Sequence, residues 1–308
     1  MPGEVAYSCV NRTSDGDKFM KMDGQDESQN VEDVRGSSGG FRPIHGIGLG
    51  TVAIALIGGW IFHVNPLEIL GLLSGDNSTV QSASNQPAQS PPADDGQAKF
   101  VSQVLRSTET VWTSAFQERG QTYVDPKLRL FRDSYPTACG MGQAAAGPFY
   151  CGEDRIVYLD LGFFDVMTQQ LGAPGQFAHA YVIGHEVGHH VQNLLGILAK
   201  VNAQRERAGE AQSNALSVRL ELQADCFAGV WATRSQKEQG WRLEPGDVES
   251  ALNAASQIGD DTLQRRARGT VVPDSFTHGT SAQRVSWFKR GLDSGQIDAC
   301  DTFGAERL

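Results

Sequence analysis

The sequence predicts an α+β domain, mainly helical, carried behind one N-terminal membrane-spanning helix. Three observations predict it. Apolar residues recur at helical spacing through 101–117, and two longer helical patterns run over 175–198 and 211–234. Two short runs, Leu128–Phe131 and Arg155–Leu161, read as strands. Ahead of them lies an apolar stretch without a charged residue, Ile44–Val64.

Residues 1–43 come first. They are rich in Gly, Ser, Asp, Asn and Glu, with too few large apolar side chains to offset chain entropy, so they are expected to be a disordered tail. No basic region opens the chain, which argues against a cleavable signal peptide. Residues 44–64 follow, with no Asp, Glu, Lys or Arg. About 20 such residues form a helix roughly 30 Å long, the thickness of a bilayer's hydrocarbon core. Trp60 and the terminal histidines His45 and His63 suit its interfaces. Arg35 and Arg42 precede the span, while Glu68 and Asp76 follow it. The positive-inside rule then places the tail in the cytoplasm and the rest of the chain outside, in the periplasm or on the outer face. Residues 65–99 are a Ser-, Gln- and Pro-rich linker, and the folded domain is expected to span 100–308.

The net charge of −10 argues against nucleic acid as a partner, because phosphate binding needs clustered Lys and Arg. Five cysteines are present, none in a C-x-x-C pair, so a thiolate zinc site is not expected. With Cys9 across the membrane four remain, which suits two disulfides in an oxidising compartment. Cys139 with Cys151 and Cys226 with Cys300 is the favoured connectivity, one of three.

Within the domain, apolar residues at 101, 104, 105, 111, 112, 115 and 116 line one helical face. Helices are expected over Gly175–Leu198 and Ala211–Arg234, with shorter ones over Val248–Ser256 and Thr280–Gly291. The first long helix carries His185, Glu186 and His189 in an H-E-x-x-H pattern. Residues four apart share a helix face, so both imidazoles can aim at one point, at the 2.0–2.1 Å that is roughly the zinc–nitrogen bond length. Glu186 stands beside them as a candidate general base. A third ligand is needed, and Glu221 on the second long helix is the candidate; Glu210, in a polar stretch read as a loop, is the runner-up. Asp225, one turn beyond Glu221, is placed to accept the second ring N–H of a ligand histidine. Gln192 and Leu195 stand where the three-histidine class needs Gly and His, which favours a two-His, one-Glu set.

Two further elements bear on chemistry. His278 and Arg284, in Phe276–Arg284, are candidate hydrogen-bond donors to an oxyanion, with a simple helix N-cap at Thr280 or Ser281 as the alternative. The segment 150–160 reads as an extended strand that can pair with a peptide backbone.

Together, the motifs Asn30–Gly36, Gly184–His190, Glu221–Gly229 and Thr277–Ser281 with Arg284 resemble the bacterial neutral zinc metallopeptidases that carry one N-terminal membrane span. The resemblance runs from Asn30 to near the C-terminus. It implies a zincin-like domain of the thermolysin-like class, with Zn2+ on His185, His189 and Glu221 and with Glu186 catalytic. Departures from the family pattern are Val34, where Arg is common, and Gly152, where Pro is expected. The expected activity is endopeptidase cleavage of a peptide or protein substrate. The alternative is a zinc-stabilised envelope binding or adaptor protein with a vestigial peptidase site.

Overall fold

A computed structural model describes residues 25–36, 89–144, 147–244 and 246–308. The predicted span at 44–64 and most of the predicted tail and linker lie outside these residues. Among the described residues no helix is long and apolar enough to cross a membrane.

The first described element corrects an expectation. Val31–Asp33, within the stretch read as a disordered tail, forms strand β1 and pairs in parallel with β2, Lys127–Leu130. Val31 and Val34 are buried, and Glu32 forms ion pairs with Lys127 and Arg129. Arg35, one of the two charges that set the predicted orientation, is bound to Asp33 at 2.6 Å and to Asp95 at 2.8 Å. The domain also begins earlier than residue 100. Gln89 bridges Asp33, and α1 runs Gly96–Glu118 from an Asp95 cap whose carboxylate accepts the Ala98 N–H.

A hairpin follows, β3 (Ser134–Thr137) with β4 (Gly140–Gln143). β5 (Phe149–Cys151) and β6 (Ile156–Leu159) complete a four-stranded sheet in the order β1-β2-β6-β5. The first two pairings are parallel and the last antiparallel. All four residues of β6 are buried, as expected for an interior strand covered on both faces. The edge facing away from β1 is therefore β5.

The helices are α2 (Gly162–Gln169), α3 (Gln176–Leu194), α4 (Ile197–Arg205), α5 (Glu210–Gln239), α6 (Asp247–Gln257), α7 (Asp260–Arg268) and α8 (Ser281–Ser294). The single helix expected over 175–198 ends at Leu194, because Gly196 adopts a left-handed φ of 71° and α4 starts anew behind it. Glu210, read as loop, opens α5. Helix α3 packs directly on α5. A Cβ on Gly188 would lie 2.9 Å from the Ala224 carbonyl oxygen, so only glycine lets the two backbones meet there. Gly229 and Gly291 do the same for α5 against α8. Both favoured disulfides are present, Cys139–Cys151 and Cys226–Cys300.

Candidate metal centre

The close approach of α3 and α5 at Gly188 and Ala224 brings two helix faces together. His185 and His189 lie on one, and Glu221 and Asp225 on the other. His185 Nε2 lies 3.2 Å from one Glu221 oxygen, and His189 Nε2 lies 3.4 Å from the other. One donor atom from each of the three residues falls within 4.8 Å of the others. The predicted ligand set is thus assembled from two helices.

Each imidazole is oriented from behind. His185 Nδ1 is 2.8 Å from Asp225 Oδ1, and a carboxylate only accepts, so Nδ1 carries a hydrogen and Nε2 is the nitrogen at which a metal can take the place of a second proton. Asp225 is fully buried and is held by the Tyr181 hydroxyl at 2.6 Å and by Arg284 through Nε and Nη2, both at 2.9 Å. His189 Nδ1 meets Gln192 Oε1 at 2.9 Å. The Gln192 amide nitrogen donates to the Leu220 carbonyl and to Gln223, and Gln223 donates to the Cys300 carbonyl beside the second disulfide. Gln192 is itself fully buried, so its amide is fixed by these partners and its oxygen is the acceptor.

The electrostatics favour positive charge among these three side chains. Burial works against a charged His185, but the Asp225 charge and hydrogen bonds to Asp225 and Glu221 outweigh it and raise the imidazole to about 10. His189 is raised as well, burial being overcome by the charge of Glu221 and its hydrogen bond. Glu221 is held well below the usual carboxylate range: burial opposes this, but the His189 and His278 charges prevail. Two neutral nitrogen donors and a carboxylate oxygen, in surroundings that stabilise a cation, fit Zn2+. Glu186 lies beside them and is buried; burial raises its pKa despite the two neighbouring histidines.

His278, in the segment before α8, is near enough for its charge to act on Glu221. Gly279 packs against Val218 and Leu222 on α5, which straddle Glu221, so close that a Cβ would lie 3.2–3.3 Å from them. The segment is fixed by Asp260, a residue that the sequence did not flag. Asp260 Oδ2 accepts the backbone N–H groups of Thr277, His278 and Gly279 at 2.7, 2.6 and 3.0 Å. Its second oxygen lies 3.3 Å from His278 Nδ1. Thr280 also caps α8, with its side chain and that of Gln283 forming a capping box.

Arg284 is placed differently from the expectation of a donor to an oxyanion. Its side chain is 2% exposed and both Nε and Nη2 are committed to Asp225. It lies behind His185, with Nη2 3.4 Å from the His185 Nδ1, and is bound to Asp225. Tyr181 and Gln192, counted in the sequence as an apolar flank and as a departure from a motif, are hydrogen-bonded to Asp225 behind His185 and to His189 itself.

No solved structure matches this chain. The family profile described as "Putative neutral zinc metallopeptidase" matches residues 20–303. Protein YpfJ of Escherichia coli K12 is 50% identical over 293 residues, covering 92% of this chain and 99% of the relative. Protein Rv2575 of Mycobacterium tuberculosis H37Rv is 46% identical over 195 residues, covering 60% of this chain and 65% of its own. Both relatives carry the description "uncharacterized". With the profile spanning nearly the whole chain and half its residues shared with a relative matched end to end, the chain belongs to the putative neutral zinc metallopeptidase family.

Proposed function

We propose that the chain is a zinc-dependent endopeptidase with a zincin-like domain of the thermolysin-like class, attached to a membrane through residues 44–64. The observation that carries the reading is the convergence of His185, His189 and Glu221 with a buried carboxylate, Glu186, beside them. A binding protein has no need of that fourth group.

Zinc, when held by these three ligands, supplies a Lewis acid that polarises a carbonyl and acidifies water. Glu186 accepts the proton of the attacking water and passes it to the leaving amine, and its raised pKa suits both transfers. His278, whose Nδ1 lies 2.9 Å from the Thr277 hydroxyl and accepts its hydrogen, keeps its ring hydrogen on Nε2 and donates it to the oxygen that gains charge. Arg284 and Asp225 hold His185 in the tautomer that offers Nε2 to the metal. An extended substrate lies along β5. β6 is paired on both sides and cannot serve, which narrows the segment expected from the sequence. A cavity of about 430 Å³, lined by Val218, Phe276 and Thr280, adjoins the His278 segment and suits a large apolar substrate side chain. The two disulfides fit an oxidising, extracytoplasmic compartment.

The test is Glu186→Gln. It is expected to retain zinc and to lose peptide cleavage by at least about 100-fold, the scale of a general base. Cleavage at the wild-type rate would reject the mechanism.

A further inference from the structure

The Cys226–Cys300 disulfide closes a loop that carries Asp260, His278 and Arg284. Its cysteines are 74 residues apart, and both are fully buried. Arg284 is bound to Asp225 behind His185, and Asp260 fixes the His278 segment. Cys226 directly follows Asp225 on α5. The other disulfide differs in both respects. Cys139 and Cys151 are only 12 residues apart, Cys139 is exposed, and the loop between them holds none of these residues.

At Cys300 the same disulfide meets a line of buried amides that ends on His189. The Cys300 carbonyl accepts from the Gln223 amide nitrogen at 2.9 Å, and the Gln223 oxygen accepts from Gln192 at 3.2 Å. Gln192 Oε1 then meets His189 Nδ1 at 2.9 Å. A carbonyl only accepts, so each amide in the line has one orientation that satisfies its partners. Gln192 and Gln223 are both buried, so neither can exchange a lost partner for water. If the Cys300 carbonyl moved, the Gln223 nitrogen would lose its acceptor and the amide could turn; Gln192 would then keep Leu220 alone. Arg219 and Thr302 also join the segment after Cys300 to α5, but only the disulfide does so covalently.

We propose that the Cys226–Cys300 disulfide is a positioning element of the candidate metal site: it holds His189 through Gln223 and Gln192 and keeps the loop with His278 and Arg284 docked, so that zinc affinity depends on this disulfide and not on Cys139–Cys151. Chain entropy supplies the second part of the effect, because without the link the long excursion must dock unaided. A dithiol that reduced the pair would give two cysteine thiols, supplying two electrons and two protons and itself becoming a disulfide. The reduced chain would hold zinc weakly, and oxidation would complete the site. The inference rests on the metal site of the proposed function and is independent of catalysis by Glu186.

The experiment uses the full chain. Zinc affinity is measured by competition with a chelator, and the stability of the metal-free protein by thermal unfolding. Three variants stand beside the wild type: Cys226→Ala with Cys300→Ala, Cys139→Ala with Cys151→Ala, and Gln223→Leu, which retains both disulfides. Both cysteine pairs are expected to lower the stability of the metal-free protein. Zinc affinity is expected to fall about 10- to 100-fold in the first pair and in Gln223→Leu, and to stay at the wild-type value in the second pair. Gln223→Leu keeps the test decisive should the first pair fail to fold. Wild-type affinity in Gln223→Leu or in the folded first pair, or equal losses in the two pairs, would overturn the proposal and leave the metal site standing. A folded wild type that binds no zinc would overturn both.

Discussion

Asp260 Oδ2 accepts the backbone N–H of His278 at 2.6 Å, and the same oxygen holds the residues on either side of it. One carboxylate thereby fixes three consecutive residues. In the proposed mechanism this is what keeps the His278 ring over the metal centre.

Asp260→Asn removes the charge and turns an amide donor toward some of those N–H groups. The variant is expected to keep its zinc and to lose about 10- to 100-fold in kcat, because a donor to developing charge acts only when correctly placed. Combined with His278→Ala, its effect should not add. Steady-state kinetics of the two single variants and the double variant check this; a wild-type kcat for Asp260→Asn would show that His278 needs no such support.

Arg284→Met leaves the Asp225 carboxylate buried without its cation. Breaking such a pair costs about 3–5 kcal/mol of stability. His185 then loses its fixed orientation, and zinc affinity should fall about 10- to 100-fold, as is usual when an outer partner of a ligand histidine is removed. Thermal unfolding and titration against a competing chelator measure the two effects. Unchanged affinity would return Arg284 to the role of a direct donor.

His179 governs part of the acid stability. It stacks on Phe164 with ring centroids 4.2 Å apart, and its Nε2 is buried without a hydrogen-bond partner among the described residues. Burial lowers its pKa to about 4, outweighing a backbone hydrogen bond at Phe164 and the Asp165 charge. The unfolded chain takes up this proton near the ordinary value of 6.5, while the folded chain resists it. Stability is therefore complete above pH 6.5 and falls as pH drops toward 4. The loss is about 2 kcal/mol after discounting for partial exposure. His179→Phe should flatten the pH dependence of urea unfolding over that window; an unchanged slope would contradict the assignment.

The three residues of the candidate metal site were legible because their spacing is local. His185 and His189 share a face by helical spacing alone, and Glu221 and Asp225 stand out as carboxylates in an apolar helix. Their supports were not legible. Tyr181 reads as one more apolar residue, Gln192 as a neutral one, and Asp260 as the acidic first turn of a short helix. Each acquires its role only from a partner far away in the chain. Strand β1 was missed for a related reason. Asn30–Gly36 has two buried valines among polar residues and becomes a strand only because β2 and Glu109 receive it. The break between α3 and α4 did have a signal, Gly196, which the apolar periodicity on both sides obscured.

The measurement that bears most directly on the account is the zinc content of the purified full chain, wild type beside His189→Ala, by elemental analysis. The account predicts about one zinc per folded wild-type chain, as for a single two-His, one-Glu site, and its loss in the variant. A folded wild-type protein without zinc, or a His189→Ala protein that retains it, would contradict the account.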